Sequence, residues 1–293
     1  MSKKIEVYGH GSIPFITSIS SGYAAAMGIE LPVRITALID NESRDIDFII
    51  MGEWDRDTRL LESLRKTFLN RFVNRRVYGL KIQINSSIPP GIGLKSSASI
   101  AIYTIYAVTN LLGLQISEND MIYHALNITK GMGGYKSGAL DGIYASLKGG
   151  IVYTDNMGSR VVSWYTNVPS CSVLIAYKQL YEYDVINISR EIRRYGELFK
   201  KAFDVGQKGN HLTAATLHGV LYSLLTQLDY ETLVSTLTNG AIAACIAGTG
   251  PALCIFVEDE DVDRFRRYLI DRGYKVIESR PTSTGSSFNM IEK

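Results

Sequence analysis

"PPGIGLKSSAS", residues 89–99, runs without a break into "IAIYTIYAVTNLLG", residues 100–113. The second stretch is apolar enough for a buried helix, predicted from about Ser96 to Leu112. The first stretch puts flexible and polar residues at the mouth of that helix. Gly91 and Gly93 can take φ > 0 and let main chain approach a ligand closely. The first amides of a helix have no partner inside it, and the macrodipole makes that end partly positive. Ser96, Ser97, Ala98 and Ser99 are small and leave the approach open, and Lys95 adds a cation. Together these make a seat for a di- or triphosphate, with the Ser97 hydroxyl available to a Mg²⁺ that bridges phosphates. The stretch is not a Walker loop, because Leu94 stands where the glycine before the lysine should be. A plain helix N-cap with a flexible lead-in is the alternative reading of the same residues.

Around that loop lies a chain of 293 residues, 46% hydrophobic and 20% charged, with a net charge of +2. This is a globular composition with a sizeable core. Lys and Arg are spread along the chain rather than gathered, which argues against a nucleic-acid partner, and the basic "LRKTFLNRFVNRR" is most simply a solvated helix face. No apolar run reaches the ~18 residues of a membrane span, and no apolar segment follows the basic start "MSKK", so a cytoplasmic protein is expected. Cys171, Cys245 and Cys254 give neither a disulfide framework nor a metal pattern. His10, His124, His211 and His218 are scattered and make no zinc set.

Strands are expected in "KKIEVYGHGS", "LPVRITALID", "DIDFIIMG" and "YGLKIQINSSIP", with a helix in "TRLLESLRKTFLNRFVN". Another helix spans about Ser117 to Thr129, capped by the Ser117 hydroxyl. "GGIVYTDN", "RVVSWYT" and "CSVLIAYK" read as strands, and residues 185–239 as a helical region. "AIAACIAGTGPALCIFVEDE" reads as two apolar strands about a glycine-rich turn, "DVDRFRRYLIDRG" as a short helix ending at Gly273, and "YKVIES" as a returning strand. The order suggests two α+β domains, residues 1–163 and 164–293.

Three motifs resemble the GHMP kinases, the superfamily of galactokinase, homoserine kinase, mevalonate kinase and phosphomevalonate kinase. Pro89, Pro90, Gly93, Leu94, Ser96, Ser97 and Ala98 fit their phosphate loop, while Lys95 stands where most members have glycine. "AGTGPALCIF", residues 247–256, looks like the motif that closes over the phosphates; a simple hairpin suits it too. "SGYAAAMGIELPVRI", residues 21–35, looks like the motif near the substrate; a loop of small residues under a strand is its alternative. In combination with "SGALDGIYASLKGGIVYTDN", these features resemble the archaeal-type shikimate kinases over nearly the whole chain.

The resemblance implies a ribosomal-S5-like first domain and a ferredoxin-like second one. It also implies transfer of the γ-phosphoryl of ATP, with Mg²⁺, to the 3-hydroxyl of shikimate, on the route to chorismate and aromatic amino acids. Residues 89–99 (Pro89, Pro90, Gly91, Ile92, Gly93, Leu94, Lys95, Ser96, Ser97, Ala98, Ser99) with Gly248, Thr249 and Gly250 would bind ATP, and Ser97 the metal. Gly22, Gly28 and Asp141 would meet the substrate. Asp141 would take the hydroxyl proton or orient the hydroxyl; capping the short helix 142–147 is its other role. The branch often carries a second acid where this chain has Gly142. Residues 129–140 hold no carboxylate, leaving Glu118 and Asp120 as the nearest upstream acids. Tyr23 stands where related proteins carry Lys. Arg34, Arg190, Arg193 and Arg194 are candidates for the shikimate carboxylate. Homoserine kinase, mevalonate kinase and a non-catalytic metabolite sensor of the same fold are the competing functions.

Overall fold

The computed structural model describes residues 3–51, 58–71, 79–132, 138–178 and 190–292. One sheet has the order β11-β1-β2-β4-β3, with β5 on the far half of β2 and β6 beyond it. Its strands are β1 (Lys3–Ile16), β2 (Tyr23–Asp40), β3 (Ile46–Met51), β4 (Gly79–Ser86), β5 (Ile151–Asp155), β6 (Arg160–Tyr165) and β11 (Ser287–Glu292). β2 is long enough to serve two partners: residues 23–27 pair with β5 and residues 33–40 with β4. The parallel β3–β4 pair needs a crossover, and α2 (Thr58–Arg71) lies between them in sequence, as expected for parallel strands.

Across this sheet lie α3 (Ser96–Leu111) and α5 (Leu140–Lys148), with α4 (Glu118–Gly131) packed against both. Helix α3 is buried on nearly all sides, because its apolar residues occupy every face rather than one stripe. Its hydroxyls are accommodated locally: Thr104 and Thr109 donate to the carbonyls of Ile100 and Ile105. The Ser117 hydroxyl accepts from the Asp120 amide, as expected for the cap of α4.

The second sheet is antiparallel, with the order β10-β7-β9-β8. It consists of β7 (Ser172–Tyr177), β8 (Ala243–Ile246), β9 (Leu253–Val257) and β10 (Lys275–Ser279). The helices α6 (Gly196–Gln207), α7 (His211–Thr226) and α8 (Tyr230–Thr238) fall between its first two strands, and α9 (Val262–Ile270) before its last. That is the split βαβ arrangement of a ferredoxin-like domain, as expected.

Two features differ from the sequence reading. "YAAAMGIE", residues 23–30, for which a loop was the alternative reading, is strand, since its alanines fit between β1 and β5 without any β-branched signal to announce it. The chain end, for which no element was expected, is β11, which pairs antiparallel with β1. The expected boundary at residues 163/164 lies within β6, and β11 returns to the first sheet. Residues 72–74 and 185–189, expected to be helical, lie outside the described residues, as do residues 133–137 of the glycine-rich stretch before Asp141.

Candidate active site

Lys95 holds the N-cap position of α3 in the left-handed region, φ 51° and ψ 33°, with no side-chain cap. A non-glycine residue there costs on the order of 1 kcal/mol, so the fold must hold it in place. The amides of Ala98 and Ser99 turn back to the Lys95 carbonyl, at 2.8 and 3.3 Å. Those of Ser96 and Ser97 have no partner among the described residues, as the first turn of a helix requires. Gly91, exposed, has φ 76°, and Gly93 φ 94°.

The glycine-rich turn of the β8–β9 hairpin sits directly on this loop. Ala252 N donates to Ile92 O at 3.1 Å, and Gly248 N to Pro14 O at 2.6 Å. A Cβ on Gly93 would sink into the Ala247 carbonyl oxygen and lie 3.0 Å from that of Gly250. Gly93 is therefore required by this loop-on-loop contact, whatever close approach it also gives a ligand. Tyr222 on α7 reaches the same turn, donating to Thr249 O at 3.1 Å.

Behind the loop, Asp141 is fully buried in the first turn of α5. It does not cap that helix: Ala139 is the N-cap, and the Asp141 carboxylate faces side chains instead. Oδ1 lies 3.5 Å from Lys95 Nζ and accepts from Asn156 Nδ2 at 3.1 Å. Oδ2 has no hydrogen-bond partner among the described residues. Gly142 makes this possible, since a Cβ there would stand 3.0 Å from Lys95 Cβ and 3.2 Å from its Cγ.

Other expected residues play different parts. The Ile92, Leu94 and Ala98 side chains are core, so what they offer a nucleotide is main chain. Ser99, also buried, turns its hydroxyl to that of Ser146 at 2.8 Å. Pro89, Pro90 and Ser97 are half-buried, and Ser96 is buried. Gly28 gives its amide to Gly150 O and its carbonyl to Thr282 N, so both groups are engaged within the fold. Gly22 ends α1 (Ser18–Ser21) at φ 85°, and its carbonyl accepts from Asn156 N at 3.0 Å.

Of the upstream acids, Glu118 pairs with Lys148 at 2.5 Å and Asp120 with the Ser117 hydroxyl at 2.6 Å. No cluster of three metal-ligating side chains occurs among the described residues. Tyr23 packs on Phe203 with the Lys200 ammonium 5.3 Å from its ring centre. Arg34 is held by Glu6 at 2.7 Å, where Lys4, Tyr8 and Arg34 together push the Glu6 carboxyl down to about 2. Arg194 pairs with Glu191, whereas Arg193 Nε reaches Ile19 O at 3.4 Å on the helix that leads to Gly22.

Sequence reasoning missed two groups. Asn156 lay in "YTDN" at the end of an ordinary strand signal. Tyr103, inside the apolar run, donates to His10 O at 2.8 Å and to Ser146 O at 2.5 Å, while His10 N donates back to its oxygen at 2.9 Å. Gly9 has no side chain where that ring passes.

The sequence profile described as "GHMP kinases N terminal domain" matches residues 59–150, which include the phosphate loop and Asp141. The overall fold is that of the GHMP kinases. In sequence, the chain is similar to archaeal shikimate kinases along most of its length. The Methanosarcina acetivorans shikimate kinase is 28% identical over 264 residues, 88% of this chain and 86% of that one. The Methanosarcina mazei shikimate kinase is 29% identical over 286 residues, covering 96% and 95%. Among solved structures, the Methanococcus jannaschii mevalonate kinase superposes with a TM-score of 0.75 over 94% of this chain and 98% of its own, at 17% identity.

Proposed function

We propose that the protein transfers the γ-phosphoryl of ATP to the 3-hydroxyl of shikimate. The observation that carries the chemistry is the buried Asp141 carboxylate, unpartnered at Oδ2, beside Lys95 and the open start of α3. Likeness to archaeal shikimate kinases over most of both chains supports the acceptor.

In this reading the Ser96 and Ser97 amides and the Lys95 ammonium hold the phosphates, and the 247–251 turn closes over them. The acceptor oxygen forms a bond to the γ-phosphorus as the bond to the β,γ-bridging oxygen breaks; the hydroxyl proton passes to Asp141 Oδ2 and ADP leaves. The residues present fit a Mg²⁺ carried in by the nucleotide. Such an ion takes most of its ligands from phosphates and water, so one hydroxyl, Ser97, at the start of α3 suffices. When bound it would neutralise charge on the transferring group.

An ADP-release assay with shikimate, homoserine and mevalonate tests this. Turnover with shikimate alone is expected. Turnover with homoserine or mevalonate instead replaces the acceptor; binding without turnover of any of them replaces the kinase with a sensor.

A further inference from the structure

We propose that Asn156 is a positioning residue for the transfer step: it fixes the Asp141 carboxylate so that Oδ2 faces the acceptor hydroxyl. The inference rests on the reading of Asp141 as the residue that takes the acceptor proton.

Asp141 and Asn156 are 0% and 1% exposed. An amide and a carboxylate buried together each need a partner, and each unsatisfied polar atom costs about 1–3 kcal/mol. Here the pairing is a chain. Thr154 Oγ1 donates to Asn156 Oδ1 at 2.7 Å, and Asn156 Nδ2 donates to Asp141 Oδ1 at 3.1 Å. The carboxylate settles the amide's orientation: it only accepts, so the NH₂ must be the group that meets it, which leaves the amide oxygen to accept from the Thr154 hydroxyl.

Lys95 reaches the same carboxylate oxygen from the other side. Lys95 is the charged group paired with Asp141 among the described residues. Both tethers therefore fall on Oδ1, and the carboxylate plane is pinned with Oδ2 left over. Nothing else on the described chain takes that second oxygen.

The backbone of Asn156 adds a second function. Its N–H donates to Gly22 O at 3.0 Å. Gly22 closes α1 in the left-handed conformation. One residue thus ties the proton acceptor to the segment expected to meet the acceptor substrate. A shift of that segment moves Asn156, and through it Asp141.

The test uses the full chain with Asn156→Ala, Asn156→Asp and Thr154→Val. The expected result for both Asn156 variants is a kcat lowered at least ~10-fold while the KM for ATP stays within about twofold, because the loss falls in the transfer step and not in nucleotide binding. Thr154→Val, which keeps the side-chain volume, should lower kcat by about threefold, the smaller loss of a group one bond further away. An unchanged kcat in Asn156→Ala, or a kcat loss matched by an equal rise in ATP KM, overturns the proposal. If the Asn156 variants fail to fold, Thr154→Val decides alone, and an unchanged kcat there overturns it. A second readout needs no substrate. The Asn156 side-chain amide resonances of the free protein should move in Asp141→Asn; unmoved resonances overturn the pairing. If the wild-type protein turns over none of the three acceptors, the functional reading fails and this resonance decides the positioning contact by itself.

Discussion

Replacing Gly93 by alanine separates a glycine needed for packing from a glycine needed for a ligand. The added methyl meets the Ala247 carbonyl oxygen and stands 3.0 Å from that of Gly250, both main-chain atoms that cannot rotate away. The turn must retreat or the loop must. Either movement breaks the 3.1 Å bond from Ala252 N to Ile92 O, at about 1 kcal/mol. Holding alanine at φ 94° adds about 1–3 kcal/mol. The sum, roughly 2–4 kcal/mol, corresponds to a fall of about 4–16 °C in melting temperature at about 2–4 °C per kcal/mol. Urea unfolding and thermal melting of the protein without nucleotide read this directly. A ligand-only role predicts the opposite pattern, with normal stability and weak ATP binding. Stability equal to wild type would refute the packing argument.

Asp141→Asn keeps the shape and the bond from Asn156 but cannot accept a proton, so kcat should fall about 10²–10⁴-fold with ATP KM near wild type; wild-type turnover would remove Asp141 from the transfer step. Lys95→Met removes the ammonium and leaves a stem of similar length beside Gly142; ATP KM should rise about tenfold or more, measured with acceptor saturating, and an unchanged KM would show that the cation serves only Asp141. His218 is fully buried, accepts from Thr17 N at 3.2 Å, and is pushed by burial down to about 3. The unfolded chain therefore takes up the proton first: the stability His218 contributes is intact above about pH 6.5 and is lost as pH falls toward 3, by about 2 kcal/mol at pH 5. Urea midpoints at pH 5 and pH 7 should differ more in wild type than in His218→Gln, and equal differences would contradict the assignment.

Which parts of this molecule could be read in advance follows from where the physical signal lies. Helix α3 was legible because small polar residues give way abruptly to an apolar run, and α4 because Ser117 marks its start. The β8–β9 hairpin was legible because glycines interrupt two apolar stretches. The first half of β2 was not, since "YAAAMG" lacks the β-branched residues that announce a strand; its alanines are there because β5 and the neighbouring helices leave little room. β11 was not, because "SFNMIE" gains its order from pairing with β1, a partner almost the whole chain away. In the site, Asp141 stood out only through the resemblance of "GALDG" to a kinase motif. Asn156 was hidden, because a residue that acts by meeting another side chain fifteen positions away has no local pattern.

Two departures from the patterns this chain resembles, Lys95 where the superfamily's loop has glycine and Gly142 where the branch often has an acid, look unrelated in the sequence. In the structure they are one solution. The left-handed backbone at Lys95 sends its stem across α5 at Gly142, where even a Cβ would be only 3.0 Å from Lys95 Cβ and 3.2 Å from its Cγ. A second carboxylate at position 142 and this lysine stem compete for the same volume. The exchange also changes the sign of what stands beside Asp141. Two adjacent carboxylates would repel each other in a buried site and call for a cation from outside. One carboxylate and one ammonium, 3.5 Å apart, largely satisfy each other within the chain. In the proposed reading, a positive charge beside Asp141 is thus supplied from within the loop, by the Lys95 ammonium. Putting Asp at position 142 while keeping Lys95 should then be worse than either departure alone, since the stem and the new side chain cannot both be housed.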